Sequence, residues 1–133
     1  MRISKDIKFD CAHMLSGYSG KCANLHGHTY HGTVTIESAV GSASCMVLDY
    51  NDIKKAVDAY DHAIIFSAPE FRGPAENELF MWALKYGMKL VQLDEGKSTA
   101  ETLALTIAEE FQQYGNVTVR LSETDGSWAE AIK

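Results

Sequence analysis

The chain has 133 residues, of which 46% are hydrophobic and 23% are charged, and its formal net charge is −6. This length and composition predict one globular domain spanning residues 1–133, with enough apolar side chains for a genuine core. The acidic balance excludes a general nucleic-acid-binding surface, and no apolar run approaches the roughly 18 residues that a membrane span needs.

Two stretches near the start alternate with period two, as half-buried strands do. The apolar side of the first stretch carries Ile7, Phe9, Cys11, His13 and Leu15. One side of the second stretch carries His26, His28, Tyr30, Val34 and Ile36. The loop over 16–25 between them carries glycine and serine, and the segment 38–44 is predicted to be a turn.

The middle of the chain is predicted to form helices, and its end is predicted to form strands. Helices are predicted over 50–60, with Asp49 as N-cap, and over 76–86, stopped by Gly87. An apolar run follows the first helix at 63–66, and the segment 88–93 is a candidate strand. A third helix over 99–114 is predicted to open with a capping box formed by Ser98 and Glu101. Strands over 117–123 and 128–132 complete an α+β domain with an antiparallel sheet.

Three histidines carry the main chemical signal. His26 and His28 are two positions apart on a predicted strand, so both imidazoles point to one side. His13 lies at the corresponding end of the preceding strand. Three imidazoles from adjacent strands supply three corners of a tetrahedron and leave the fourth open, as in a catalytic zinc site. Such a pair is also common at surfaces and in cores, so both interpretations stay open on spacing alone, and His31 is expected to be exposed.

A cysteine and an Asp-His pair are candidates for proton transfer. Cys22 lies four residues before His26 and could be a fourth ligand, an acid–base group or a small buried residue. A carboxylate such as Asp61 can orient an imidazole such as His62, which then activates a thiol. Adjacent residues on a strand point apart, so this pair cooperates only if the backbone turns there; otherwise it is a loop end.

Glu123 is a carboxylate on the otherwise apolar side of a predicted strand. An unpaired buried carboxylate costs on the order of several kcal/mol. Either the strand has reached solvent at this position, or Glu123 meets the hydrogen-bond donors of a ligand. The predicted capping box accounts for Glu101 without a functional role.

The cysteines indicate a reducing compartment. Cys11, Cys22 and Cys45 are odd in number and form no C-x-x-C pair, so a disulfide framework is not expected. The first residues also lack the apolar segment of a signal peptide. The expected location is therefore the cytoplasm.

Over nearly its whole length the chain resembles the family of 6-pyruvoyl tetrahydropterin synthases and bacterial 6-carboxytetrahydropterin synthases. The motifs that carry the resemblance, in order, are Phe9-Asp-Cys-Ala-His13, Cys22-Ala-Asn-Leu-His26-Gly-His28-Thr-Tyr30, Met46-Val-Leu-Asp49-Tyr50, Asp61-His62, Ser98-Thr99-Ala-Glu101 and Glu123-Thr124. The spacing of four from Cys22 to His26 is similar to the bacterial branch. Ser98 replaces the usual proline of the family, and the segment 70–93 is less characteristic of it.

The resemblance implies a fold and a set of site residues. The implied fold is the tunnelling fold, in which an antiparallel four-stranded sheet with helices on one face joins those of other subunits in a barrel. The active sites would then lie between subunits of a homo-oligomer. The implied residues are the Zn²⁺ ligands His13, His26 and His28, the catalytic group Cys22, Asp61 and His62, and the substrate-binding Glu123 and Thr99.

The implied reaction converts 7,8-dihydroneopterin triphosphate to 6-carboxy-5,6,7,8-tetrahydropterin and releases acetaldehyde and triphosphate, a step toward queuosine and other 7-deazapurines. Glu123 would hold the pterin ring, and Lys21 and Lys97 are candidates for the triphosphate. Three alternatives remain: a 6-pyruvoyl product from the same substrate, a non-catalytic zinc- or pterin-binding module, and a structural metal. Cys22 argues against the module, because binding alone needs no thiol there.

Overall fold

The computed structural model describes residues 1–39, 45–67 and 73–133. The strands in these ranges are β1 (Arg2–His13), β2 (His26–Glu37), β3 (Ala63–Ser67), β4 (Leu90–Leu93), β5 (Asn116–Thr124) and β6 (Ser127–Ile132). The α-helices in the same ranges are α1 (Tyr50–Asp58), α2 (Pro74–Lys85) and α3 (Ala100–Phe111). The described strands form one sheet in the order β4-β3-β1-β2-β5-β6.

The sheet corrects the predicted strand count. Strands β1, β2, β5 and β6 are antiparallel, as predicted, but β3 and β4 add two parallel strands at one edge, so the described sheet has six strands. β3 pairs with β1 only at Cys11 and Ala12. The sequence did not reveal β3 because a short, continuous apolar run has no period that distinguishes a strand from a buried helical segment.

The predicted alternation of the first two strands is confirmed except near the end of β2, where Thr35, predicted on the polar side, is buried. In β1 the side chains of Ile7, Phe9, Cys11 and His13 are buried. In β2, Tyr30 is buried on the same side, while His31 is exposed as predicted. Ile7, Phe9, Cys11 and Tyr30 form one core with the buried face of α3, which consists of Ala100, Leu103, Ala104, Ile107, Ala108 and Phe111.

The helix ends follow the predictions with one exception. The Asp49 side chain caps α1 by accepting a hydrogen bond from the Asn51 N–H at 2.8 Å, and Gly87 follows α2 with a φ of +66°. The predicted capping box is wrong. Thr99 is the N-cap of α3 and makes no side-chain capping bond, whereas the Ser98 hydroxyl donates to the Met14 carbonyl at 3.2 Å.

Two predictions fall partly outside the described ranges: the turn over 38–44 includes residues 40–44, and the segment 70–93 begins with residues 70–72. The candidate strand within 88–93 is confirmed as β4. Within the described ranges, no helix combines the length and apolar character needed to cross a membrane.

Candidate metal centre and active site

The pairing of β1 with β2 brings the three predicted ligands together. His13 ends β1 and stands opposite His26, which begins β2, and His28 stands opposite Cys11. Each of the three imidazoles offers one nitrogen, and these nitrogens all lie within 4.8 Å of one another. The ring centroids are 4.6 to 5.3 Å apart. The antiparallel register, combined with the period-two alternation, therefore places all three imidazoles on the core side at one end of the sheet.

The hydrogen bonds of two histidines fix which nitrogen faces the centre. The Nδ1–H of His13 donates to the Ser98 carbonyl, and the Nδ1–H of His26 donates to the Asn24 carbonyl at 2.7 Å. The Nε2 of each ring then carries a lone pair, which is the form that binds a metal. Carbonyl partners of this kind are the usual outer-shell support of metal-ligating histidines.

The three Nε2 atoms are buried and unsatisfied. By hydrogen-bond geometry, none of the Nε2 atoms of His13, His26 and His28 has a partner within the described residues, although the Glu123 carboxylate lies within ion-pair distance of those of His13 and His28. Buried polar atoms without partners are rare, and each calls for a cause such as an ion. Burial also lowers the pKa of His13, which keeps that imidazole neutral. The donor set fits Zn²⁺, with three imidazole nitrogens that converge on one centre and a fourth position open.

Glu123 lies beside this centre. Its Oε1 is 3.1 Å from the Nε2 of His28 and 3.4 Å from the Nε2 of His13. The Tyr30 hydroxyl donates to the same Oε1 at 3.3 Å, and burial raises the pKa of Tyr30, so the hydroxyl remains a donor. The Glu123 side chain is 29% exposed. The other carboxylate oxygen of Glu123, Oε2, can therefore be either hydrated or bonded to a ligand, which are the two alternatives that the sequence left open.

Asp61 and His62 can cooperate, because the backbone turns between them as their cooperation requires. His62 has a φ of +58°, a left-handed conformation that costs a non-glycine residue free energy. The turn brings the His62 Nδ1 to 2.8 Å from the Asp61 Oδ2. The other Asp61 oxygen accepts the Asp10 N–H at 2.9 Å, and this bond, followed by that to His62, lowers the pKa of Asp61. A charged Asp61 holds the proton on Nδ1 and leaves Nε2 of the exposed ring as the basic nitrogen.

Cys22 lies near the histidines in sequence but outside their nitrogen cluster. It is half-buried on a short 3₁₀ turn, Lys21–Ala23, and the group of mutually close ligand atoms among the described residues does not contain its thiol. No hydrogen bond joins it to Asp61 or His62 within the described ranges. Of the other cysteines, Cys11 is buried, which raises the pKa of its thiol to about 12, and Cys45 is exposed.

Within the described residues, no hydrogen bond or ion pair joins the remaining predicted residues to the three imidazoles. Thr99 is half-buried and follows Ser98, whose carbonyl holds His13. Lys21 and Lys97 are exposed neighbours of Cys22 and Ser98. Glu101 is exposed and shares a depression with Glu123, lined also by Ala100, Ser127, Trp128 and Ala129.

The sequence pattern does not identify the residues that orient His13, His26 and Glu123. The pattern predicts Ser98 as part of a helix cap and Tyr30 as a side chain on the apolar side of a strand, and nothing in it marks Asn24. Two of them act through backbone carbonyls, which leave no signature in residue type. Only Tyr30 offered a signal, since a buried tyrosine hydroxyl normally requires a partner.

Comparison with known proteins gives a consistent result over the whole chain. The family model described as 6-pyruvoyl tetrahydropterin synthase matches residues 2–133. The chain is 35% identical over 140 aligned positions to the 6-carboxy-5,6,7,8-tetrahydropterin synthase of Haemophilus influenzae, covering 97% of this chain and 96% of that protein. It is 27% identical to the protein of the same name from Rickettsia typhi, covering 98% and 99%.

A solved structure supports the same architecture. The 6-pyruvoyl tetrahydropterin synthase of Plasmodium falciparum superimposes with a TM-score of 0.65, covering 100% of this chain and 97% of that one at 16% identity. At that identity the similarity concerns the fold. It confirms the predicted tunnelling fold, with two parallel strands in addition to the four antiparallel ones.

Proposed function

The chain belongs to the 6-pyruvoyl tetrahydropterin synthase family, and we propose that it is a zinc-dependent 6-carboxy-5,6,7,8-tetrahydropterin synthase. Its substrate would be 7,8-dihydroneopterin triphosphate, with acetaldehyde and triphosphate released, in the cytoplasmic route to queuosine and other 7-deazapurines. The names of the similar bacterial proteins support this product. So does the four-residue spacing from Cys22 to His26.

One observation carries the metal in this proposal: three buried Nε2 atoms converge on one centre without a hydrogen bond among the described residues, and a carboxylate oxygen of Glu123 lies beside two of them. A structural zinc site has four protein ligands, whereas a catalytic one has three and an open position. The donor set at His13, His26 and His28 has the second form. Bound there, Zn²⁺ would supply Lewis-acid stabilisation of negative charge developing on the oxygens of the substrate's side chain.

We assign proton transfer and substrate binding to residues around the three histidines. Cys22 would move protons between the side-chain carbons and the ring, and His62, held by Asp61, would keep the thiol in a reactive state. Glu123 would accept two neighbouring N–H groups of the pterin, and its contact with Tyr30 orients the carboxylate for this purpose. Thr99 would contact substrate from the start of α3. Lys21 and Lys97, both exposed, are candidates for binding the triphosphate.

We also propose that the active site is completed between copies of the chain. The imidazole of His62 is 78% exposed and makes no hydrogen bond to Cys22 within one described chain. Pooling the sheets of several subunits into a barrel would let the Asp61–His62 pair of one copy approach the thiol of another. This arrangement accounts for an oriented but otherwise unused imidazole at the surface.

The decisive test is the product formed by purified protein, zinc and 7,8-dihydroneopterin triphosphate, identified by mass spectrometry. The expected product is 6-carboxy-5,6,7,8-tetrahydropterin together with acetaldehyde. Accumulation of the 6-pyruvoyl product would overturn the proposed branch and favour 6-pyruvoyl tetrahydropterin synthesis. Binding of the substrate without turnover would favour a non-catalytic pterin-binding module.

Substitution of Glu123 tests recognition of the ring. Glu123→Gln replaces two charged acceptor oxygens by one neutral acceptor and one donor, and this donor would oppose an N–H of the pterin. Hydrogen bonds to charged groups are worth roughly 1.5–3 kcal/mol, so pterin affinity is expected to fall by about 10- to 100-fold in calorimetric titration.

The control for this change is Glu130→Gln, which alters an exposed glutamate on β6 and should leave affinity unchanged. Zinc content should be the same in both variants, because Glu123 is not assigned as a ligand. Unaltered affinity in Glu123→Gln would mean that other groups hold the ring. A large loss of thermal stability would instead give Glu123 a role inside the protein.

A further inference from the structure

Lys89 lies between α2 and β4, and its side chain reaches the turn that carries Asp61 and His62. The ammonium donates hydrogen bonds to the main-chain carbonyls of Asp58 and Asp61, each at 2.8 Å. Asp58 is the last residue of α1, and the last carbonyls of a helix have no partner within it. The lysine therefore supplies donors where the helix ends, with a charge that suits the negative end of the helix dipole.

The second of these carbonyls belongs to the peptide group that joins Asp61 to His62. Its C=O accepts from Lys89 at 2.8 Å, and its N–H donates to the Asp10 carbonyl at 2.6 Å. The two partners lie on opposite sides of β3, since Asp10 belongs to β1 and Lys89 directly precedes β4. Rotation of this peptide group would break both bonds, so together they hold His62 at its positive φ of 58°.

The main chain of Lys89 is fixed as well. The Ile64 N–H donates to the Lys89 carbonyl at 2.9 Å, and Ile64 pairs with Leu90 in the parallel ladder of β3 and β4. Among the described residues no carboxylate forms an ion pair with the Lys89 ammonium. The backbone of this lysine is thus anchored beside the turn, and its charge is directed at the two carbonyls.

The orientation of the His62 imidazole depends on this turn. Its Nδ1 is 2.8 Å from the Asp61 Oδ2, a contact between adjacent residues that the turned backbone allows. The Asp10 N–H, then the bond to His62 and, more weakly, the positive charge of Lys89 lower the pKa of Asp61. If the turn loosened, the carboxylate would separate from the ring, and either ring nitrogen could then carry the proton.

We propose that Lys89 is a positioning residue for the Asp61–His62 pair: its ammonium holds the peptide group between them, so that Nε2 of the imidazole is presented to the thiol. This inference rests on the proposed function, in which His62 acts on Cys22. Within the described residues no hydrogen bond joins Lys89 to the His62 ring, so the lysine acts through the turn. An ammonium, with three rotatable donors, suits two carbonyls at once.

Removal of the ammonium with retention of the side chain's length provides the first test. Lys89→Met is expected to lower kcat about tenfold, because a misplaced catalytic group slows the chemical step, while KM and the melting temperature stay near those of wild type. Lys89→Arg keeps donors at this position and should retain more activity than Lys89→Met. The control is Lys54→Met, which removes an α1 lysine that pairs with the Asp58 carboxylate and should leave kcat unchanged.

A double variant separates positioning from general stabilisation. In His62→Ala the ring that Lys89 orients is absent, so adding Lys89→Met should cause no further loss of kcat. A lysine that merely stabilised the fold would lower kcat in both backgrounds. A further loss of about tenfold in the His62→Ala background would therefore overturn the proposal.

Hydrogen exchange tests the turn without any turnover. The His62 N–H is protected by its bond to Asp10, and its exchange rate, followed by mass spectrometry with fragmentation, should rise about tenfold in Lys89→Met. Lys54→Met should exchange like wild type. Equal rates in wild type and Lys89→Met would mean that the turn holds without the lysine, and the proposal would be wrong. If the protein forms no product at all, the proposed function fails, and the exchange rates still decide whether Lys89 holds the turn.

Discussion

Replacing His13 by alanine is expected to reduce bound zinc from about one ion per chain to near zero after dialysis, measured by elemental mass spectrometry. His13 is 1% exposed, and the Ser98 carbonyl fixes its ring so that Nε2 faces the other two histidines. Removing one of three ligands leaves two imidazoles, which is too few for a stable site. His26→Ala and His28→Ala should behave in the same way.

The same β-strand offers a matched control. His31 lies on the opposite side of β2 and is exposed, so His31→Ala should keep its zinc. Thermal unfolding gives a second measure, because an ion that binds only the folded state raises the melting temperature. A chelator should lower the melting temperature of wild type and leave His13→Ala unaffected. If all three single variants of the proposed ligands retained full zinc, the assignment of the metal centre would be wrong.

Most of what determines the positions of these three histidines could be predicted from the sequence. Period-two alternation put His13, His26 and His28 on the core sides of two strands, which follow one another in the chain and therefore tend to be neighbours in the sheet. What the sequence could not supply was the register. A slip of two residues in the pairing of β1 with β2 would keep every side chain on its side yet separate His13 from His26.

The supporting contacts of the site depend on distant parts of the chain. Ser98 lies 85 residues from His13 and supports it through a backbone carbonyl, which no local pattern encodes. A serine three residues before a glutamate favours a helix cap at Ser98. In the folded chain the Ser98 hydroxyl bonds to the Met14 carbonyl instead, and Thr99 is the N-cap. The positive φ of His62 also depends on a residue that is distant in the chain. It runs against the preference of the residue and exists because hydrogen bonds to Asp10 hold the turn.

Cys22→Ala is expected to lower turnover by about 10²- to 10⁴-fold while zinc content and the melting temperature stay near those of wild type. The thiol lies outside the nitrogen cluster of the three histidines, so its loss should not release the ion. Its assigned task is proton transfer, for which the methyl group of alanine has no substitute. Single-turnover kinetics with a fixed metal load measure this step apart from binding.

Two further comparisons test whether the thiol acts together with the Asp-His pair. If His62 and Asp61 serve the same proton transfer, His62→Ala should reduce turnover strongly, and the double variant with Cys22→Ala should be little worse than Cys22→Ala alone. Cys45→Ala is the control, because that cysteine is exposed and has no assigned role. Additive losses in the double variant would mean that the imidazole of His62 works in another step. Lost zinc in Cys22→Ala would instead make the thiol a fourth ligand, and the site would then be a closed, structural one.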